Sequence, residues 1–548
     1  MEHPAVNRPE PAGERRSLSA PNLRPLRGPA LFALAAGVFV WAAARAVTAD
    51  LEWLLRIVPD DTFYYLQIAK NLARDGRSTF DGSAPTNGYH PLWMFLLTGL
   101  AALVDDRVVF MRSAITLALA LHVGSSLAVY AVVKRLVDPG WGWVAAACWL
   151  INPLTFLIAV QATEASVYGA SALGFLLVHL RVVEARMEGR RPSWRLAAGY
   201  GLALGLLCLA RTDGAIVAAL AIAWLAWPAI SRPGPRLATG APAIAALAVV
   251  IVTVMPWWIF SFLSVGTLVQ DSGAMKTLWA SDQYPGLAGR LENLSKTVEY
   301  FTRYCIALMT VWNWSSASFT LCALALSAAP LLTLVKRSAS LQARVVAGLL
   351  LWLGALTLTY GFAVVERQVW WLTVPCLTLM LVQFATVPLA LRTVSGGVRL
   401  ERAVQPALVI LAILLLARWH VKDRALYPWQ PDVRRSQLAI EAQVPAPERI
   451  GAFNAGIPGY FGAGRVVALD GLVNHVVRTH WAGRRLDEYV ASEKLRYIAD
   501  EARVLDKARR FSRTPLELEL LASFPLHGWP TGQRHLWRVV APTDVAHD

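Results

Sequence analysis

Charged residues are scarce in this sequence. Only 16% of its 548 residues are Asp, Glu, Lys or Arg, whereas 56% are hydrophobic and the mean hydropathy is +0.44. These values lie outside the range of soluble globular domains, so soluble enzymes and soluble binding modules are excluded. Apolar runs that approach the roughly 20 residues needed to cross a bilayer recur along most of the chain. The composition therefore indicates a polytopic α-helical membrane protein.

Cysteine is also rare, and no nucleotide-binding motif is present. The five cysteines are scattered, and four of them lie within apolar runs. Their spacing fits neither a disulfide framework nor a set of metal ligands, so we interpret them as small core residues. The glycines of "GAFNAGIPG" do not have the spacing of a dinucleotide fingerprint, so we assign no nucleotide to them. The cysteines are Cys148, Cys208, Cys305, Cys322 and Cys376.

Acidic residues are outnumbered by basic ones. The chain has 37 Asp and Glu against 52 Lys and Arg, a formal net charge of +15. Such an excess can indicate nucleic acid, but here it lies mostly in short loops between apolar runs, which is the positive-inside signature of membrane proteins. We therefore expect membrane lipids and no nucleic acid as partners. The predicted cytoplasmic segments are the N-terminus, Lys134 to Gly140, Arg181 to Arg195, Ser231 to Gly240, Lys336 to Arg344 and Arg392 to Arg402.

These basic loops predict a topology of about eleven spans in the cytoplasmic membrane. The first span covers about residues 29–48. We read it as uncleaved because many spans follow, although a cleaved signal peptide is the alternative. Pro91 to Val104 would reach only about 21 Å as a helix, so we predict that it is half-embedded or interfacial. The predicted organisation is a disordered cytoplasmic N-terminus (1–28), a membrane domain (29–418) with outer loops at 49–109 and 266–316, and an extracytoplasmic domain (419–548).

The C-terminal part has the pattern of a soluble domain. Beyond Arg418 hydropathy falls, and about 130 residues alternate charged and apolar positions. "RIGAF" (Arg449 to Phe453) and "RVVAL" (Arg465 to Leu469) are predicted to be short buried strands, and Ser492 to Phe511 is predicted to be a helix. The predicted fold class is a polytopic α-helical membrane protein with a C-terminal extracytoplasmic α/β domain.

Two adjacent aspartates, Asp60 and Asp61, follow the first apolar run in "VPDDTFYYLQIAKNLARDG". From Thr62 onward apolar residues recur at helical spacing, which predicts an amphipathic helix that ends at Gly76 and lies on the membrane surface. An aspartate before a helix is usually only a cap, and capping explains one carboxylate but not two. The pair is therefore a candidate for catalysis. It could also chelate a divalent cation, although no His/Asp cluster requires one.

Four short motifs, in their order along the chain, resemble the GT-C superfamily of integral membrane glycosyltransferases. They are the aspartate-initiated helix, "FDGSAPTNGYHPLW", "ATEASVYGA" and "LARTDG". In addition, "HPLW" and "IGAFNAGIPGYFGAGRVVALDGLVN" are similar to a bacterial branch that includes mycobacterial arabinofuranosyltransferases. The resemblance implies transfer of a sugar from a polyprenyl-phosphate donor to a cell-envelope glycan or lipid acceptor, on the outer face of the membrane and without a required cofactor. It leaves open the sugar, the acceptor and the choice between inversion and retention.

The resemblance also implies roles for individual acids. It maps the general base of the superfamily onto Asp60, with Asp61 beside it, and it places an acid at Glu164. A sugar hydroxyl is a weak nucleophile, so a carboxylate positioned to take its proton suits the reaction. Glu164 could instead be a solvated turn residue, and a histidine before proline is often structural. The residues predicted to bind or orient the acceptor are Glu164, Asp213, His90, Asn87 and Tyr89.

The leaving phosphate requires cations or hydrogen-bond donors. Arg211, Lys276 and Arg367 are the candidates, and each could instead be a snorkelling anchor at a helix end. A transporter or flippase of lipid-linked sugars is the main alternative function. It predicts Gly/Pro-interrupted helices near the midplane and an internal repeat, and no repeat is found. A non-catalytic envelope scaffold is the second alternative.

Tryptophans are abundant, with 22 in the chain. Many stand at predicted span ends (Trp53, Trp141, Trp143, Trp370 and Trp371), and we assign most of these to the aromatic belt at the membrane interface. The tryptophans of the long outer loop, Trp279, Trp312 and Trp314, are instead candidates for stacking on a sugar or lining a groove for the lipid chain.

Overall fold

A computed structural model describes residues 27–231, 236–305, 340–365, 367–393, 397–421, 425–529 and 532–540. Trp312, Trp314 and Cys322 lie outside these residues. So does almost all of the segment 1–28, which is predicted to be disordered.

Helices form almost all of the described membrane domain. Eight of them are long and apolar enough to cross a membrane, and a bent pair would make a ninth. The helices are α1 (Arg27–Thr48), α2 (Leu51–Leu55), α3 (Asp60–Asp75), α4 (Pro91–Ala101), α5 (Arg107–Leu136), α6 (Pro139–Ile151), α7 (Pro153–Val160), α8 (Ala165–Met187), α9 (Trp194–Ala210), α10 (Gly214–Ser231), α11 (Arg236–Val265), α12 (Asp271–Gln283), α13 (Gly286–Cys305), α14 (Leu341–Ala363), α15 (Thr373–Thr393) and α16 (Gly397–Val421).

The helices agree with the predicted spans over the described residues. Ten of the predicted spans fall there and correspond to the eight long helices, the bent pair α6–α7 and the 17-residue α9. The eleventh, between Ser316 and Lys336, lies outside the described residues. α4 has 11 residues, about 16 Å of helix, which is too short to cross a bilayer.

The bend between α6 and α7 follows from two residues. Pro153 lacks the N–H that would continue α6, and the Asn152 side chain accepts a hydrogen bond from the Leu154 amide at 2.9 Å, starting a new helix. The two helices meet at 51°.

The C-terminal domain contains a five-stranded mixed sheet of order β2-β1-β3-β5-β4. β1 pairs in parallel with β2 and β3, and β5 pairs antiparallel with β3 and β4. The two strands predicted from sequence are confirmed as β1 and β2. The elements are α17 (Gln430–Gln443), β1 (Ile450–Ala452), α18 (Gly456–Phe461), β2 (Val466–Ala468), α19 (His475–Ala482), α20 (Leu486–Ser492), β3 (Tyr497–Asp500), α21 (Ala502–Arg509), β4 (Leu518–Pro525) and β5 (Gln533–Val539).

The single helix predicted for Ser492 to Phe511 is wrong. Lys494 adopts a φ of +52°, which ends the helical path, and Tyr497–Asp500 forms the strand β3 in the middle of the sheet. The helical spacing of this segment comes from α21, which follows the strand. Burial of Ile498 and Ala499 between β1 and β5 outweighs the local helical propensity.

The predicted helix at Asp60–Asp75 is confirmed, with Gly76 at its C-terminus in the left-handed region (φ +66°), but its predicted position on the membrane surface is wrong. Phe63, Leu66 and Ile68 are fully buried in protein. α3 packs between the helical bundle and α18 of the C-terminal domain. Its apolar stripe is thus covered by the protein's own chain.

Close backbone approaches fix the C-terminal domain against the first outer loop. A Cβ at Gly456 would lie 2.2 Å from the Asp60 carbonyl oxygen, and one at Gly88 would lie 1.9 Å from the Leu472 carbonyl oxygen, so only glycine fits at either position. At α12, the buried Asp271 carboxylate accepts from Arg478 at 2.6 Å and lies 2.9 Å from His475 Nδ1.

The two ends of the helical bundle differ in their charged residues and in their contacts with the C-terminal domain. Arg107, at the start of α5, bonds to the Tyr460 carbonyl of the C-terminal domain. The 30 residues of α5 then lead to the opposite end, where Arg392 pairs with Asp138 and Glu401. The acidic first loop and the sheet domain therefore lie at one end, and the basic last turn of α5, with Lys134 and Arg135, lies at the other.

Candidate active site

A cavity of about 640 Å³ opens at the end of the bundle next to the C-terminal domain. Apolar and aromatic side chains form most of its wall, and a few charged groups converge on it. This combination is typical of small-molecule sites. The ionisable and aromatic residues that line it include Asp61, Tyr64, Tyr65, Tyr89, His90, Glu164, Arg211, Asp213, Lys276, Tyr360, Trp370 and Trp371.

Asp61 lines the cavity with a partly exposed side chain. It is the second residue of α3, its side chain is 32% exposed, and its carboxylate lies 3.7 Å from Lys276 Nζ. Burial raises the pKa of Asp61, while the Lys276 ammonium lowers it and the Glu164 carboxylate raises it. Lys276 also lies 4.9 Å from the centre of the Trp371 ring. The cavity thus holds a carboxylate and a cation close together.

Asp60 has a different environment. Its two carboxylate oxygens accept from the backbone amides of Gly456 at 3.0 Å and Ile457 at 2.7 Å, at the start of α18. Burial raises the pKa of Asp60 to about 7, and the neighbouring Asp61 carboxylate adds to the effect although the two amide bonds oppose it. The N-cap of α3 is Pro59, so the interpretation of an aspartate as the cap of its own helix is wrong. Asp60 instead attaches α3 to the C-terminal domain.

Glu164, Arg211 and Asp213 form one buried cluster at the cavity wall. Arg211 bonds to Glu164 through Nη1 and to Asp213 through Nε at 3.0 Å. Side-chain exposure is 8% for Arg211, 4% for Glu164 and 8% for Asp213. Tyr65 donates to Glu164 at 3.3 Å, and Tyr360 donates to Asp213. Two carboxylates therefore offset the single guanidinium charge.

His90 completes this cluster. Its Nε2 lies 3.6 Å from Glu164 Oε1, and its Nδ1 is buried with no hydrogen-bond partner among the residues that the structure describes. Burial and the Arg211 charge hold the pKa of His90 well below its usual value. A neutral imidazole with one free nitrogen can donate to, or accept from, a bound hydroxyl.

Three predicted site residues do not line this cavity: Asp60, whose contacts are given above, Asn87 and Arg367. Asn87 is fully buried and clamps the start of α12: it donates to Ser261 at 2.6 Å and accepts from the Asp271 amide at 3.0 Å. Arg367 donates to the Asn293 carbonyl at 2.8 Å and so anchors α13. Tyr89 does line the cavity, although its hydroxyl is bonded to Ser78 at 2.8 Å. Asn87 and Arg367 thus have structural contacts in place of the predicted ligand contacts.

The assignment of Trp370 and Trp371 to the interface belt is wrong. Both side chains are buried and line the cavity, and Trp371 stacks on Tyr360 with ring centres 5.4 Å apart. Both belong to the short 3-10 turn Val369–Leu372, which directly precedes α15. A tryptophan at the end of a span can lie either at the membrane interface or in the wall of a cavity, and the sequence does not distinguish these two locations.

A second cavity, of about 330 Å³, lies on the other side of Asp61, between α3 and the C-terminal domain. Asp61, Tyr64, Trp370 and Leu472 line both cavities. The Asp61 carboxylate therefore lies where the two spaces adjoin.

Sequence reasoning missed three polar residues of the second cavity. Asp470 follows β2 and Asp500 ends β3, both at the carboxyl ends of parallel strands, where functional side chains of α/β sheets gather. Tyr64 donates to Asp470 at 2.6 Å and accepts from the Ala455 amide at 2.9 Å. An acid at the end of each strand, or within two residues of it, was the available signal.

Among the described residues, no group of three or more His, Cys, Asp and Glu side chains is arranged to hold a metal ion. At Asp60 and Asp61, the pair that could chelate a cation, backbone amides and Lys276 take up the carboxylates.

Asp470 should make the stability of the protein depend on pH. Burial raises its pKa to about 7, with Tyr64 and the Leu472 amide opposing the shift. Between about pH 4 and 7 the folded chain keeps a proton that the unfolded chain has released, so the free energy of unfolding falls as the pH rises through this interval. Asp60 acts in the same direction. The melting temperature of the parent protein should therefore be lower at pH 8 than at pH 5. In Asp470→Asn we expect this difference to be smaller by more than about 2 °C.

Tryptophan fluorescence during thermal unfolding in detergent measures this effect. The exposed Asp506 on α21 provides the control, because Asp506→Asn should leave the pH dependence unchanged. Equal pH dependence in Asp470→Asn and the parent protein would contradict the prediction.

The comparisons with known proteins agree with this architecture. ArnT from Cupriavidus metallidurans in the apo state matches with a TM-score of 0.54 at 13% identity, over 93% of this chain and 99% of that one. ArnT bound to undecaprenyl phosphate matches with a TM-score of 0.53 at 12% identity, over 92% and 98%. The apo oligosaccharyltransferase of Archaeoglobus fulgidus matches with a TM-score of 0.52 at 13% identity, over 92% and 75%.

A family described as a domain of unknown function (DUF8728) matches residues 425–543, which contain the sheet domain. No curated protein sequence matches the chain. Together the structural likenesses show the fold, so the predicted class of a polytopic α-helical membrane protein with a C-terminal α/β domain is confirmed.

Proposed function

We propose that the protein is a membrane glycosyltransferase that moves a sugar from a polyprenyl-phosphate donor to a cell-envelope glycan or lipid, at the extracytoplasmic end of its bundle in the cytoplasmic membrane. One observation carries the proposal. Asp61 lines both an apolar-walled cavity that contains Lys276 and a second cavity that four further acidic residues line. A base between a donor space and an acceptor space is what group transfer from a lipid phosphate requires.

Asp61 suits the role of general base better than Asp60, on which the sequence resemblance placed it. The oxygens of Asp60 accept two backbone hydrogen bonds, whereas Asp61 faces both cavities. In the proposed step the acceptor hydroxyl oxygen attacks the anomeric carbon and its proton passes to Asp61. The bond from the anomeric carbon to the phosphate oxygen breaks, and its electron pair leaves with the polyprenyl phosphate. A direct displacement of this kind inverts the anomeric centre.

Lys276 is the cation best placed for the phosphate. It lines the large cavity, and its nearest carboxylate, Asp61, is 3.7 Å away. Arg211 is held by Glu164 and Asp213, so it supplies little net positive charge. A point charge on a flexible stem suits a phosphate that must bind and then leave.

Replacing Lys276 should weaken lipid-phosphate binding selectively. We expect Lys276→Gln to raise the Kd for undecaprenyl phosphate about tenfold, because one charge-assisted contact to the phosphate is lost. Arg367→Gln is the matched control, since Arg367 contacts α13 and not the cavity, and it should leave the Kd unchanged. Binding to the protein in nanodiscs measures both. A larger effect of Arg367→Gln than of Lys276→Gln would assign the phosphate to Arg367.

One further proposal concerns which sugar the donor carries and which cellular process uses the transfer. The similarity of the tail motif to the arabinofuranosyltransferase branch supports a pentofuranosyl donor and a role in cell-wall biogenesis.

A deletion strain tests the function and separates it from a transporter or flippase. A transferase predicts that the lipid-linked sugar accumulates in the outer leaflet while an envelope glycan loses one residue, as measured by mass spectrometry. Accumulation in the inner leaflet, out of reach of an externally added glycosidase, would instead support a flippase and overturn the proposal.

A further inference from the structure

The second cavity is rich in aromatic side chains. Five tryptophans line it. Trp429 and Trp529 are half-buried, and their ring centres are 4.0 Å apart, whereas Trp279, Trp370 and Trp481 are buried. Because an aromatic face carries partial negative charge, it attracts the weakly positive C–H groups on the flat side of a sugar ring. Partly exposed tryptophans at the edge of a cavity can therefore stack on a carbohydrate.

Acidic residues outnumber basic residues in the lining of this cavity. Five carboxylate residues line it, and a single cationic residue, Arg534, does so. Arg534 is 3% exposed and donates to Gln437 at 2.9 Å and to Ser436 at 3.2 Å, so its guanidinium is held by its own domain. A uronate or phosphate in this space would face carboxylates without a free cation among the described lining residues, which disfavours it electrostatically. The carboxylates are Asp60, Asp61, Asp470, Asp500 and Glu501.

Polar groups in the same cavity suit hydroxyls. Carboxylates accept hydrogen bonds, and a sugar presents many O–H donors. Asn454 also lines the cavity and is fixed there by Asp500, which accepts from its backbone amide at 2.8 Å and from its side-chain amide at 3.0 Å. The volume of the second cavity, about 330 Å³, lies within the range of small-ligand sites, which is ~300–1,000 Å³.

We propose that the second cavity is the acceptor site and that it takes the end of a neutral carbohydrate chain, with one hydroxyl directed at Asp61. The inference rests on the proposed transfer function and adds the chemical class of the acceptor. It also gives the C-terminal domain a role, because the loop after β2, the strand β3 and the helix α21 supply Asp470, Asp500 and Val504 to the cavity wall. An acceptor held there and a lipid phosphate in the large cavity would approach Asp61 from its two sides.

A panel of immobilised glycans tests the inference with the full chain in nanodiscs. The probes are neutral arabino-, manno- and galacto-oligosaccharides, an oligogalacturonate and a mannose 6-phosphate glycan. We expect retention of a neutral class and not of the two anionic ones. Trp529→Ala should lower that retention about tenfold, and Trp529→Phe, which keeps an aromatic face, should restore most of it.

Three results would overturn the inference: retention of anionic glycans only, neutral retention that Trp529→Ala does not change, or no retention of any probe. Binding of undecaprenyl phosphate is measured on the same preparations and should be unaffected by Trp529→Ala. If lipid-phosphate binding fails while neutral glycans are retained, the donor proposal fails and the carbohydrate site stands. If the lipid phosphate binds and no glycan is retained, the inference of a carbohydrate site fails and the donor proposal stands.

Discussion

Asp61→Asn should reduce sugar transfer about 10²–10⁴-fold while the protein still folds and binds undecaprenyl phosphate. The asparagine keeps the shape of the side chain but cannot take the proton of the acceptor hydroxyl. It also removes the carboxylate 3.7 Å from Lys276, so lipid-phosphate binding should be retained or slightly strengthened. Transfer from a polyprenyl-phosphate sugar in reconstituted vesicles gives the rate, and melting temperature checks the fold.

Asp60→Asn is the matched comparison, because it makes the same chemical change one residue away. An asparagine offers one acceptor oxygen where the Asp60 carboxylate offers two, so one of the amides of Gly456 and Ile457 would meet an NH₂ group. We expect a lower melting temperature and a transfer rate reduced by less than tenfold. The opposite pattern, with Asp60→Asn folded but inactive and Asp61→Asn active, would return the role of base to Asp60.

The sequence predicted the helix on which the two aspartates of the candidate site lie, but not the different environments of the two side chains. Hydropathy and basic loops placed the spans, and the spacing after Thr62 placed the helix with its end at Gly76, because both patterns are local. The roles of Asp60 and Asp61 depend on Gly456 and Ile457, almost 400 residues later in the chain. No local pattern contains such a contact.

The same reason explains the other errors. Arg367 has the composition and position of a phosphate ligand, but the helix that packs beside it supplies Asn293 as its partner. The stripe of α3 fits a membrane surface as well as it fits α18, and only the folded chain decides between them. Tyr497–Asp500 is drawn into the sheet by neighbours that the helical period does not reveal. Local sequence patterns predicted the candidate residues, whereas long-range contacts in the folded chain determine the surroundings of each one.

The largest effect on stability should come from Arg211. Arg211→Met leaves Glu164 and Asp213 buried without their counter-charge, and breaking a buried ion pair in this way typically costs ~3–5 kcal/mol. We expect a loss of that size in the free energy of unfolding, measured by SDS titration in mixed micelles. Lys276→Gln, which removes a cation from the same cavity beside the partly exposed Asp61, should cost less than about 1 kcal/mol.

Neutralising the acids distinguishes a lost charge balance from a lost side-chain volume. If the uncompensated carboxylates cause the instability, adding Glu164→Gln and Asp213→Asn to Arg211→Met should recover more than half of the lost free energy, since the three residues form one coupled network. If cavity formation is the cause, the triple variant should be no more stable than Arg211→Met. A loss below about 1 kcal/mol for Arg211→Met alone would mean that water screens both acids. Arg211 would then be free to bind the donor phosphate, and the preference for Lys276 would lose its basis.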